Sequence, residues 1–126
     1  MIKKRLKNNA QKVDKFLINF LKKQKKTLLV SPMKYGVISG GKKIRSTIIF
    51  DTGKLFKIKN SLLINICAAV ECIHSYSLIH DDLPCMDNDA IRRGKPTTHK
   101  KYGEATAVLA GNSLLTLAFE IISDKN

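Results

Sequence analysis

Glu71 to His99 reads ECIHSYSLIHDDLPCMDNDAIRRGKPTTH, and this is the stretch whose side chains could do chemistry. It starts inside an apolar run and turns dense in charge: His80, Asp81, Asp82, Asp87 and Asp89, then Arg92, Arg93, Lys95 and His99. Carboxylates bind hard divalent cations through oxygen, and arginines fork onto phosphate oxygens. Acids followed at once by an arginine pair therefore suit a metal-bound phosphate better than a solvated loop. Taken alone, the DDxxxxD pattern of Asp81, Asp82 and Asp87 is equally a helix C-terminal turn with solvated acids. The arginines five and six residues after Asp87 tilt the reading toward chemistry.

A second cationic group stands upstream, in Gly40-Gly41-Lys42-Lys43-Ile44-Arg45. Two glycines opening a helix leave backbone donors exposed at the positive end of its dipole, a place that suits an anion. Lys42 and Arg45, three apart, are expected to share a helix face. The glycine spacing is not that of a Walker loop. His80 beside Asp81 could mimic the His-Asp pair of a metal phosphohydrolase, but only His74 and His99 are available as further imidazole ligands. His99 receives no role, and Cys85 reads as a spacer.

Several elements must position these groups. Leu62 to Ile79 is apolar nearly all round, the pattern of a buried central helix, and Ser61 is its expected N-cap. Glu71, His74, Ser75, Asp81 and Asp82 form one polar stripe along it, the lining of a cavity or hydrogen-bond network. Pro84 should end the helix just after the acidic pair, leaving Asp87 to fold back toward Asp81. Ile2 to Lys22 carries Leu6, Val13, Phe16, Leu17, Phe20 and Leu21 on one side and reads as a helix docked on a core, in preference to a membrane surface. Thr27 to Ser39, with Pro32 and Gly36, is expected to be a linker. Ile44 to Phe56 is expected to be a short helix with Ile44, Ile48, Thr52 and Leu55 on a stripe. Glu104 to Ile122 is a third apolar helix, polar only along Glu104, Asn112, Thr116 and Glu120 and otherwise expected to be buried. No convincing strand appears, so the class is all-α.

The chain has 126 residues, enough for one domain or part of one, and 44% of them are hydrophobic, as a packed core needs. Its formal charge is +13, and residues 1–26 hold ten of the 23 Lys and Arg against one acid, Asp14. These are mostly scattered lysines without interleaved aromatics, so they read as a solvated helix face and no nucleic-acid partner is expected. The longest apolar run carries Glu71 and His74 in its middle, against a membrane span, and no secretory signal is visible. Cys67, Cys72 and Cys85 lack metal-site spacing and fit a reducing cytoplasm.

These residues resemble the trans-isoprenyl diphosphate synthases, most of all the bacterial farnesyl diphosphate synthase type. Gly40-Gly41-Lys42-Lys43-Ile44-Arg45 resembles the family's GGKxxR motif, with Ser46 where proline is usual. The DDLPxMD core from Asp81 to Asp87 resembles its first aspartate-rich motif, and Arg92-Arg93-Gly94 its arginine pair. Tyr102-Gly103-Glu104-Ala105 through Ala110-Gly111 continues the similarity. The resemblance implies the N-terminal portion of an isoprenoid-synthase-type helical bundle, with residues 1–39 as helix and linker and 40–126 as the substrate- and metal-binding half. The family's bundle is roughly twice this size, and its second aspartate-rich motif lies in the later half. The resemblance further implies that Lys42, Arg45, His74 and Arg93 hold isopentenyl diphosphate and that Arg92 contacts the allylic diphosphate. Asp81 and Asp87 would ligate Mg²⁺ with Asp82 in support, and Tyr76 would floor the pocket that sets product length. A homodimer of the complete protein is expected. The other reading is a truncated, non-catalytic relative that binds diphosphate or a partner subunit.

Overall fold

Helix α1 (Ile2–Lys23) buries Val13, Leu17 and Leu21, one residue per turn, and turns its lysines to solvent. That four-residue spacing is what an amphipathic helix docked on a core requires, and Phe16 and Phe20 close its flank with rings 6.0 Å apart. In the computed structural model, which describes residues 1–124, it is followed by α2 (Val30–Val37), α3 (Ile44–Leu55) and α4 (Asn60–Asp81). A two-residue ladder of β1 (Ile91–Arg92) and β2 (Lys95–Pro96) precedes α5 (Thr98–Tyr102) and α6 (Glu104–Ser123). The all-α class is therefore observed, with one short hairpin among the described residues.

The centre is α4 packed on α6. Small residues on both, Ala68 and Ala69 against Ala107, Ala110 and Ala118, are fully buried and let the two backbones approach. Leu63, Leu114, Leu117 and Ile121 fill the remaining space. Both helices are long and apolar enough, by length and composition, to cross a bilayer, which revises the expectation from sequence. They instead form the packed core, and α4 carries the buried Glu71 in an ion-paired and hydrogen-bonded site.

Two further expectations are corrected. Thr27 to Ser39 is no linker, because α2 occupies Val30–Val37. Pro32 falls in its first turn, where no intrahelical donor is lost. The cap of α4 is Lys59, with no side-chain hydrogen bond, and Ser61 lies within the helix. Most informative is α3, which buries Ser46, Thr47, Phe50 and Gly53 and exposes Ile44, Ile48, Thr52 and Leu55. Beside Phe50, its inner face is hydrogen-bonded: Asn9 Nδ2 donates to Thr47 Oγ1 at 3.2 Å, and Ser46 Oγ donates to Glu71 Oε1 at 2.8 Å.

The polar stripe of α6 stands as expected at Asn112, Thr116 and Glu120, but the rest of the helix is not all covered. Leu109, Phe119 and Ile122 are each more than half exposed, as is Ile48 on α3. Exposed apolar side chains of this kind are candidate contact surface.

Candidate functional site

α4 ends at Asp81, three residues before Pro84, and the chain folds back over its C-terminus. The Asp87 amide donates to Asp81 O at 2.8 Å and the Asp89 amide to Asp82 O at 3.1 Å, satisfying carbonyls the helix leaves open. The acidic loop is thus bound to the helix end, and Asp87 returns toward Asp81 as expected. Arg93 and Gly94, both at positive φ (54° and 75°), make the two-residue turn between β1 and β2. That is the type I′ geometry, which matches strand twist and favours glycine at its second position. Tyr35 Oη donates to Pro96 O at 2.7 Å and ties the hairpin to α2.

The two arginines leave this hairpin in different directions. Arg92 forks onto Asp82, Nε to Oδ2 at 2.8 Å and Nη2 to Oδ1 at 2.7 Å. Asp82 is buried, and this bidentate pair occupies both of its oxygens. Arg93 Nη1 donates to Gly40 O at 2.7 Å and lies 3.4 Å from Ser39 Oγ. A Cβ at Gly41 would stand 2.8 Å from the Arg93 Cζ, so only glycine at that position (φ +98°) lets the guanidinium sit on the turn. The upstream glycine motif and the arginine pair, 53 residues apart, therefore meet.

Arg45 Nη1 lies 3.4 Å from His74 Nε2. Burial pushes the His74 pKa below its usual value; Arg45 pushes it the same way, with smaller contributions from Arg93 and Arg92 and an opposing one from Glu71. The half-buried imidazole thus sits in the field of three guanidinium groups, with Arg45 in contact. Lys42 is exposed and precedes α3, which starts at Ile44, so Lys42 and Arg45 do not share a helix face. Because the folded pKa of His74 is depressed, the unfolded chain binds the extra proton first as pH falls through about 6.5. His74 thus costs stability on the acid side, and His74→Gln is expected to flatten the fall of Tm between about pH 6.5 and 5. Thermal unfolding across that range, both proteins in parallel, checks this.

Asp81 is half-buried and Asp87 exposed, and neither carboxylate has a hydrogen bond or ion pair within the described residues. Each thus leaves open carboxylate oxygens, hard donors of the kind a divalent cation takes, while Asp82 is committed to Arg92. No group of three His, Cys, Asp or Glu converges on one point among the described residues. His80 turns away from the acids. Its Nε2 is 3.1 Å from Val108 O on α6, its ring fills the space a Gly111 Cβ would need, and Tyr76 packs edge-on at 4.6 Å. The phosphohydrolase pairing of His80 with Asp81 is therefore not formed.

The Polyprenyl synthetase family profile matches residues 26–126. The chain belongs to the polyprenyl synthetase family. Farnesyl diphosphate synthase of Buchnera aphidicola (from Acyrthosiphon pisum) is 55% identical over 86% of this chain and 38% of its own length. Farnesyl diphosphate synthase of Escherichia coli is 55% identical over 78% of this chain and 33% of its own. Among solved structures, a geranyltransferase from Legionella pneumophila superposes with a TM-score of 0.90 at 41% identity, covering 96% of this chain and 43% of that one. An FPP/GFPP synthase from Zymomonas mobilis gives 0.92 at 44% identity, covering 98% and 45%. This polyprenyl synthetase chain thus spans about a third of the curated relatives it matches and less than half of the solved ones.

Sequence reasoning missed three members of the site's scaffold. Lys43, inside the glycine motif, is buried, with Nζ donating to Val37 O at 3.1 Å and lying 3.2 Å from Asp14 Oδ1. Ser46, standing where proline is usual, bonds Glu71. Asp14 is the single acid of a basic segment, a signal that could have marked it as paired. Glu71 itself belongs to this scaffold and not to the anion site. Cys67 and Cys72 are buried thiols, pushed up to about 11 and about 12, chiefly by burial, which keeps them inert.

Proposed function

We propose that this chain forms the isopentenyl diphosphate and metal-binding half of a prenyltransferase that joins isopentenyl diphosphate to dimethylallyl or geranyl diphosphate, giving farnesyl diphosphate. The observation that carries this reading is a concentration of cationic groups beside the Gly40–Gly41 turn: Arg93 bonds that turn, and Arg45 lies against His74, which also feels the Arg93 charge. Lys42, Arg45, His74 and Arg93 would hold the isopentenyl diphosphate, and Arg92 the allylic one. Asp82 keeps Arg92 aimed, using Nε and Nη2 and leaving Nη1 without a partner among the described residues. Asp81 and Asp87 would hold Mg²⁺, which when bound supplies charge neutralisation for the diphosphate leaving group. As the allylic C–O bond ionises, Arg92 meets the growing charge on the leaving oxygen. The cationic groups hold the second substrate's double bond toward the allylic carbon, and the apolar wall of α4 keeps water away. A C–C bond forms and a proton is lost to restore the alkene.

Tyr76, held edge-on by His80, would floor the product pocket. In a turnover-competent protein Tyr76→Ala is expected to lengthen the product, and an unchanged product retires that role. The three unpaired cysteines support a cytoplasmic setting. The exposed apolar faces of α3 and α6 favour a second reading, a non-catalytic relative that binds diphosphate or pairs with another copy. One experiment serves both: titrate the protein with isopentenyl diphosphate, then assay it with Mg²⁺ and geranyl diphosphate. Binding with farnesyl diphosphate formed supports the enzyme. Binding without turnover supports the second reading, and a folded protein that binds nothing overturns both.

A further inference from the structure

The one lysine or arginine buried among the described residues sits inside the motif that carries the diphosphate reading, yet it faces away from the site. Lys43 caps α3 with φ 43° and ψ 50°, a left-handed conformation that costs a residue with a side chain about 1 kcal/mol. Its side chain is 3% exposed. The ammonium lies within reach of three other elements: Asp14 of α1 at 3.2 Å, Val37 O of α2 at 3.1 Å, and Glu71 Oε2 of α4 at 4.0 Å. Glu71 also accepts from Ser46 of α3 at 2.8 Å and stands one turn before His74. A buried ion pair is a poor source of stability, since desolvation offsets the attraction, but its directional partners fix geometry. Here the fixed object is the turn itself. With Lys43 drawn inward, Lys42 and Arg45 on either side are left outward, and Gly40 O is left facing Arg93.

We infer that Lys43, clamped by Asp14, Glu71 and the Val37 carbonyl, is a positioning residue that sets the Gly40–Arg45 turn for diphosphate binding. The inference rests on the diphosphate reading above, and the test separates the two. Lys43→Met alone strands the buried Glu71, so the informative protein is Lys43→Met/Glu71→Leu, which removes the two buried charges, leaves net charge unchanged and leaves Asp14, 27% exposed, to solvent. Replacing a buried ion pair by apolar groups is often neutral for stability. Thermal unfolding and calorimetric titration with isopentenyl diphosphate, without metal, are run on wild type and variants. The expected result is a double variant with near wild-type Tm whose affinity stays about tenfold weaker, because the turn is misplaced. Affinity returning together with Tm overturns the inference.

If the double variant does not fold, Glu71→Gln keeps the acceptor for Ser46 and carries the same test. It makes the site more positive, so electrostatics alone tightens anion binding, whereas a loosened clamp weakens it. Weaker binding upholds the inference, and equal or tighter binding overturns it. Should the wild type itself not bind, the diphosphate reading fails and the clamp is judged by hydrogen exchange at the Gly40 and Thr47 amides, which donate to Ile38 O and Lys43 O. Exchange about tenfold faster in the folded variant upholds the positioning role, and unchanged rates overturn it.

Discussion

Arg92→Met is expected to cost this chain about 3 kcal/mol of stability, more than Asp82→Asn costs, although the two residues form one ion pair. The asymmetry follows from burial. The Asp82 side chain is 3% exposed and the Arg92 side chain 33% exposed. Removing Arg92 takes both hydrogen bonds from a carboxylate that water cannot reach, and an uncompensated buried charge is among the costliest of single changes. Removing the charge of Asp82 leaves an arginine that can turn into solvent, while the carbonyl of the substituted carboxamide would still accept from Nε or Nη2. The Asp82 bonds also raise the Arg92 pKa, so the cation persists at any pH at which the chain is folded. Urea unfolding at pH 7 checks this, and equal losses in the two variants would mean that Asp82 is solvated. A loss of this size is a large share of the 5–15 kcal/mol typical of domains, so binding should be read only under conditions where Arg92→Met remains folded.

The second large effect is on binding. Lys42→Gln/Arg45→Gln is expected to weaken isopentenyl diphosphate binding on the order of 10²-fold or more, with little change in Tm. Each charge-assisted hydrogen bond is worth about 1.5–3 kcal/mol, and 1.4 kcal/mol is tenfold in affinity. Both side chains are exposed, and neither makes an ion pair among the described residues, so the fold loses little. The pair also carries a salt signature: wild-type affinity should fall as ionic strength rises, and the variant's should fall less steeply. Calorimetric titration at two salt concentrations reads both effects. An unaltered affinity would move the diphosphate away from the Gly40–Arg45 turn.

Particular residues show how far the sequence could be read. Amphipathic spacing located α1, and the apolar runs located α4 and α6, because the helix period writes itself into any segment with one covered face. Pro84 placed the end of α4 to within a few residues, since a missing N–H acts locally. The acids and arginines pointed to phosphate and metal chemistry by residue type alone. The same local logic failed for α2, where Pro32 and Gly36 look like breaks but fall where a helix tolerates them. For α3 hydropathy alone would set the apolar stripe inward, whereas the inner side carries Ser46 and Thr47 beside Phe50, their hydroxyls bonded to partners elsewhere.

The sequence by itself determined which chemistry this chain can host: Asp81 and Asp87 as hard oxygen donors, Arg92 and Arg93 as anion forks, Lys42, Arg45 and His74 as a second cationic set. It also determined that helices would carry them, through spacing readable within a few turns. Only the tertiary structure decided which of these groups stay open and which pair with each other. It paired Asp82 with Arg92, turned His80 to α6, brought Arg93 onto Gly40 from 53 residues away and drew Lys43 inward toward Glu71. The reason is physical. A side chain's type and its place on a helix are local properties, but whether it is buried, paired or free depends on partners supplied by distant segments once the chain has packed.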